Sequence, residues 1–127
     1  MRMLLIDDDA LVRRTLADTL AAEGIEVDGL ANAEDALVLL GAGQVPDVLV
    51  ADIDLGAGLS GLDLAGIARE RHPAVEVVLI SGAVSPDPGH PARGRRRERF
   101  LRKPFATATL TETIRAAAAA AAEKTRG

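Results

Sequence analysis

The chain has 127 residues, 48% of them hydrophobic, which is enough for one compact domain with a core and too short for two ordinary ones. It carries no cysteine, so disulfides and thiolate metal sites are excluded, and any metal must be held by oxygen or by His72 and His90. Nineteen acidic residues against fifteen basic ones give a net charge of -4, which points to hard cations and away from general nucleic-acid binding.

Met3-Leu-Leu-Ile6 is an apolar run that meets Asp7-Asp8-Asp9 too early for the core of a signal peptide, and no run approaches the length of a membrane span. The expectation is a cytoplasmic protein. From Ala10 the pattern changes to Leu11, Val12, Leu16 and Leu20 at spacings near 3.6, which predicts a helix capped by Asp9 and stopped near Gly24. Ile25-Glu-Val27 alternates as an outer strand would, and Asn32 opens a second helix through Leu37, Leu40 and Gly41. Val48 to Ala51 is a continuous apolar run ending on Asp52, as suits a central parallel strand covered on both faces. A loop, Leu55-Gly-Ala-Gly-Leu-Ser-Gly61, leads to a helix through Leu62, Leu64, Ile67 and Ala68 that His72-Pro73 ends. Val75 to Ile80 reads as another apolar strand, ending on Ser81-Gly82.

Pro86, Pro88, Gly89, Pro91 and Gly94 leave room for at most a short helix between residues 83 and 99. Phe100-Leu101 is a brief strand running into Lys103-Pro104-Phe105, and Leu110, Ile114 and the alanine run 116–122 predict a final helix. The alternation implies an α/β fold with a parallel sheet, right-handed crossovers and helices on both faces. Ligands of such sheets bind at the carboxyl edge, where Asp7, Asp8, Asp52, Ser81 and Lys103 converge although scattered in sequence. Clustered carboxylates repel one another unless a cation intervenes, and an oxygen-only set suits Mg²⁺. Lys103 and the Ser81 hydroxyl are suited to phosphoryl oxygens, and the Asp52 carboxylate to in-line attack on phosphorus.

Four motifs in this order resemble the receiver domain of two-component response regulators: Leu4-Leu-Ile-Asp-Asp-Asp-Ala-Leu-Val-Arg13, Asp47-Val-Leu-Val-Ala-Asp52, Leu79-Ile-Ser-Gly-Ala83 and Phe100-Leu-Arg-Lys-Pro-Phe105. The resemblance covers essentially the whole chain. It implies a flavodoxin-like, doubly wound five-stranded parallel sheet of order 2-1-3-4-5 in one domain, over residues 1–122, followed by a tail at 123–127. It further implies that Asp52 is a phosphoacceptor served by a sensor histidine kinase or a histidine phosphotransfer protein. Asp7, Asp8 and Asp52 would bind Mg²⁺, with Asp54 adding its main-chain carbonyl. Ser81 and Lys103 would hold the phosphoryl group, while Ser81 and Phe100 would form the switch that alters binding of a downstream protein target. Such a domain is not an enzyme, although slow autodephosphorylation is expected of it. No DNA-binding output segment and no membrane segment are expected.

The sequence departs from the family pattern in several places. The loop after Asp52 lacks the usual proline and is one residue longer than the commonest form. Ser81 stands for the more frequent threonine, and Phe100 brings a ring without a hydroxyl. A proline- and arginine-rich segment replaces an ordinary fourth helix. Asp9 reads as a helix cap, and neither His72 nor His90 is assigned a role. Arginines 93, 95, 96, 97, 99 and 102 form a dense cluster without the interleaved aromatics of a base-stacking surface. Three alternatives stand beside the phosphorelay reading. One is a receiver excised from a hybrid histidine kinase, and another is a phosphorylation-independent protein-binding module using the 93–102 face. The third, a small phosphoester hydrolase, lacks a cap segment to form its pocket.

Overall fold

A computed structural model describes residues 1–82 and 98–126. The elements run β1 (Arg2–Ile6), α1 (Ala10–Ala22), β2 (Glu26–Leu30), α2 (Ala33–Gly41), β3 (Val48–Asp52), α3 (Gly61–Arg71), β4 (Glu76–Ser81), β5 (Arg99–Arg102) and α4 (Thr107–Arg126). The five strands form one sheet in the order β2-β1-β3-β4-β5, with every pairing parallel. This is the expected flavodoxin-like arrangement. The crossover from β4 to β5 falls on residues 83–97, so the reading of a short helix there, together with Ala83, His90 and arginines 93, 95, 96 and 97, lies outside the described residues. α4 continues through Arg126, across the boundary expected at 122.

Strand β3 is buried at every position, as a run without polar alternation requires when both faces are covered. Its alternate side chains feed two cores. Leu49 and Ala51 join Ala33, Ala36 and Leu40 of α2 and Leu64, Ala65 and Ala68 of α3 on one face. Val48 and Val50 join Leu20 of α1 and Leu110, Ile114 and Ala117 of α4 on the other. Burying the aliphatic side chains of β3 contributes about 1.5–3 kcal/mol each, so the strand that ends on Asp52 is among the most firmly held in the molecule.

Local signals set the element ends. The Asp9 carboxylate accepts from the Leu11 and Val12 amides at the start of α1, and Asn32 accepts from Asp35 N at the start of α2. Gly24 takes φ +82 just after α1, a conformation that glycine adopts without strain. Ser60 begins α3 through a reciprocal box with Asp63: the Asp63 amide donates to Ser60 Oγ and the Ser60 amide to Asp63 Oδ2, both at 3.1 Å. The Ser-x-x-Asp spacing is visible in the sequence, although the reading above placed the helix start by its apolar residues only.

Four details differ from the sequence expectation. β2 lies at Glu26–Leu30, with Ile25 buried ahead of it. Leu11 is 74% exposed and Leu62 37% exposed, so neither is on the buried face of its helix. The run read as uniformly apolar at 75–80 contains Glu76, which is 1% exposed. Arg99 Nη1 of the neighbouring strand donates to Glu76 Oε1 at 2.7 Å, which keeps a charge tolerable in that strand.

Candidate functional site

Four strands, β1, β3, β4 and β5, end at one cleft of about 480 Å³, lined by Asp7, Asp8, Asp52, Asp54, Ser81 and Lys103, with Val12, Ile53 and Leu62 at its sides. The ladders place these ends. Ile53 N donates to Ile80 O at 2.9 Å, and Lys103 N donates to Ser81 O at 2.8 Å, continuing the strand pairings past β3 and β5. Asp7 N donates to Leu30 O at 3.0 Å, doing the same for β1. All six residues expected at the metal and phosphoryl positions are therefore brought together. Phe100 is not a lining residue: it packs, partly buried, against the core on the α2–α3 face of the sheet.

Asp52 is buried to 7% exposure, and both of its oxygens are engaged. Oδ2 accepts from Lys103 Nζ at 2.9 Å, and Oδ1 accepts from Asp54 N at 3.0 Å. The Lys103 ammonium is partly exposed, and its hydrogen bond to Asp52 raises its pKa above 10.5, so it is fully cationic near neutrality. Asp7 is 2% exposed; its Oδ1 accepts from Asp9 N at 2.9 Å, so the third acid of the run caps the helix and orients the first.

Burial pushes the Asp7 carboxyl above its ordinary value of 3.8, and the charges of Asp52 and Asp8 push the same way, against the Asp9 amide and Lys103. A carboxyl with a raised folded pKa binds its proton more tightly folded than unfolded. Its stabilising contribution is present below the unfolded value and is lost as pH rises through the folded value, the reverse of an ordinary paired carboxylate. In the metal-free protein, Lys103→Met should raise the Asp7 pKa further, and Asp52→Ala should lower it toward 3.8, as read by carboxyl-carbon NMR titration. Shifts in the opposite directions would contradict this electrostatic account of the cleft.

The donor set is oxygen throughout. Among the described residues, no group of three or more acids or histidines is gathered closely enough to hold a metal by itself. That fits an ion such as Mg²⁺, which keeps several waters and takes only one or two carboxylates, and whose shell an incoming phosphoryl oxygen can complete. The cleft is correspondingly open on the side of Asp8 and Asp54, both exposed.

Three supporting residues went unassigned in the sequence reading. Arg13 Nη1 donates to the Asp7 carbonyl at 2.7 Å, its side chain crossing Gly29, where an added Cβ would stand 3.2 Å from Arg13 Cγ. Gly61 packs against the backbone that leaves β3. Glu34 Oε2 accepts from Leu59 N at 3.0 Å. The signal for Arg13 and Gly61 was their place beside the acidic motifs; Glu34 had none, because the bond links residues 25 positions apart.

The chain matches the family model described as "Response regulator receiver domain" over residues 3–115. It is 30% identical to the response regulator protein FleR of Pseudomonas aeruginosa over 113 residues, which are 89% of this chain and 24% of FleR. The chain thus spans about a quarter of the length of the curated relatives it matches. The structure of a response regulator receiver protein from Sinorhizobium medicae superposes with a TM-score of 0.82 at 26% identity, covering 95% of this chain and 96% of that one. A CheY-like receiver domain protein from Methanospirillum hungatei superposes with a TM-score of 0.86 at 22% identity, over 97% of each chain, and shares the fold.

Proposed function

The chain belongs to the response regulator receiver domain family of two-component signalling, and from that premise we propose that Asp52 accepts a phosphoryl group from the phosphohistidine of a sensor kinase or phosphotransfer protein. The observation that carries the proposal is the Asp52 carboxylate at the end of the central strand, with Lys103 Nζ 2.9 Å away and Asp7, Asp8 and Ser81 in the same cleft. A carboxylate oxygen of Asp52 attacks phosphorus as the P–N bond breaks, and the electron pair leaves with the imidazole nitrogen, which then takes up a proton. Lys103 turns from the carboxylate to a phosphoryl oxygen, and the Ser81 hydroxyl donates to another. Asp7, Asp8 and the Asp54 carbonyl, beside Asp52, would hold Mg²⁺, which supplies charge neutralisation for the transferring group. The protein is a phosphoacceptor, and in a slow autodephosphorylation water would attack phosphorus, breaking its bond to the Asp52 oxygen, releasing inorganic phosphate and restoring the carboxylate.

Ser81 and Phe100 lie on adjacent strands, with Leu79 paired to Phe100 and Ser81 to Arg102. In the proposed switch, Ser81 moves toward the phosphoryl group and the Phe100 ring follows, shifting a two-state equilibrium on the β4–β5 side where a downstream protein target binds. The kinase-linked role puts the domain in the cytoplasm, and among the described residues no helix is long and apolar enough to cross a membrane. The test is incubation with acetyl phosphate and Mg²⁺ followed by intact-mass spectrometry. One phosphoryl group should be added and should leave on treatment with hydroxylamine, and a wild-type protein that stays at its starting mass refutes the proposal.

A further inference from the structure

The loop from Asp54 to Ser60 borders the cleft, contains Gly56 and Gly58 at φ +76 and +87, and has no proline to restrain it. Two positive-φ glycines make such a loop costly to order, so whatever fixes it matters to the residues it carries. Leu55 anchors it in the core, with Leu59 packed against the same cluster, and polar contacts restrain both ends. Near the cleft, Asp54 Oδ1 accepts from Gly56 N at 3.1 Å, and Gly56 lies so close to Asp8 that an added Cβ would stand 3.4 Å from Asp8 Oδ2. At the far end, Glu34 Oε2 accepts from Leu59 N at 3.0 Å, with its carboxylate seated on Gly58, where a Cβ would come within 2.6 Å of the same oxygen.

Glu34 is itself well placed to bear on the loop. It lies in the first turn of α2, whose start is set by Asn32, and α2 is anchored in the core by Ala33, Ala36 and Leu40. The amide of Leu59, and its own, hold the Glu34 carboxyl below the usual glutamate value, as expected of a carboxylate that accepts these bonds in its charged form.

We propose that Glu34 is a positioning residue for the acid cleft: by clamping the Leu59 amide from α2 it keeps the loop closed, which holds the Asp54 main chain and the Asp54–Gly56 turn beside Asp8 for cation and phosphoryl binding. The proposal rests on the phosphoacceptor reading for its phosphoryl arm, whereas its cation arm can be read without any phosphorylation. The clamp takes over the restraint that a proline would otherwise give the loop.

The test compares wild type with Glu34→Ala and Glu34→Gln, since glutamine keeps an acceptor oxygen. Three quantities are read: Leu59 amide exchange, the Mg²⁺ dissociation constant from the Gly56 amide shift, and the acetyl phosphate concentration giving half-maximal phosphorylation. Loss of one exposed hydrogen bond to a charged acceptor should speed Leu59 exchange and weaken Mg²⁺ binding in Glu34→Ala by about threefold to tenfold. Half-saturation should rise by a similar factor with the maximal rate unchanged, and Glu34→Gln should recover most of each effect. Faster Leu59 exchange with wild-type Mg²⁺ binding would reduce Glu34 to a structural contact and overturn the proposal, as would a glutamine variant as impaired as the alanine one. If wild type takes up no phosphoryl group while exchange and Mg²⁺ binding respond as stated, the phosphoacceptor reading fails and the clamp stands.

Discussion

Asp52→Ala is expected to take up no phosphoryl group at all from acetyl phosphate and Mg²⁺, and Lys103→Met to take it up about 10²–10³-fold more slowly than wild type, the usual loss for one removed donor to a developing oxyanion. The two losses have different origins. Without Asp52 the proposed nucleophile is gone, and neither Asp7 nor Asp8 is placed to replace it. Asp7 is turned to the Asp9 amide, and Asp8 is an exposed acid of the same cleft. Without Lys103 the nucleophile stays, but its charge and that of the entering phosphoryl group lose their counterion. Neither variant should unfold: Asp52→Ala removes a like charge from beside Asp7, and Lys103 is partly exposed. The check is a time course of intact mass beside far-UV circular dichroism. A folded Asp52→Ala protein that still gained a phosphoryl group would move the acceptor elsewhere.

Gly61→Ala should destabilise the fold by about 1–3 kcal/mol, the common cost of forcing one extra methyl into a filled space. At Gly61 a Cβ would run into the Asp52 carbonyl oxygen and stand 2.9 Å from Ile53 Cα, so backbone rather than a flexible side chain must yield. Gly61 N also donates to Ile53 O at 2.9 Å, so the first residue of α3 is fastened to the segment that follows Asp52. The same helix supplies a control of opposite sign. Gly66 has nothing within 4 Å of an added Cβ, so Gly66→Ala should stabilise by about 0.5–1 kcal/mol through helix propensity. Urea unfolding of the two variants measures both, and equal midpoints would contradict the packing account. Gly61→Ala should also slow phosphorylation, because the displaced backbone carries Asp52 and Asp54.

The residues of the cleft were legible because they stand at strand ends, and strand ends are easy to find where an apolar run stops at Asp7, Asp52 or Ser81. Order along the chain and the handedness of crossovers then bring them to one edge. What escaped the sequence was anything fixed by contact between distant segments. Leu11 and Leu62 look like core residues by spacing, yet both are exposed, and Leu62 lines the cleft. Glu76 looks like an interruption, yet it is buried against Arg99. Glu34 and Leu59 share no pattern that links them. Phe100, the proposed switch residue, has the expected strand but packs against the α2–α3 core and does not line the cleft.

Strand β2 is one edge of the sheet, and it exposes Glu26 and Asp28 at alternate positions, with Arg2 of β1 3.3 Å from Asp28. An open parallel edge is a template on which another chain's strand can add, and repeated charge is a common way of blunting it. If two molecules met through β2, four carboxylates would crowd along the new ladder. The acidic balance of the chain therefore has a local use at the rim farthest from β5, where it discourages edge-to-edge aggregation through β2.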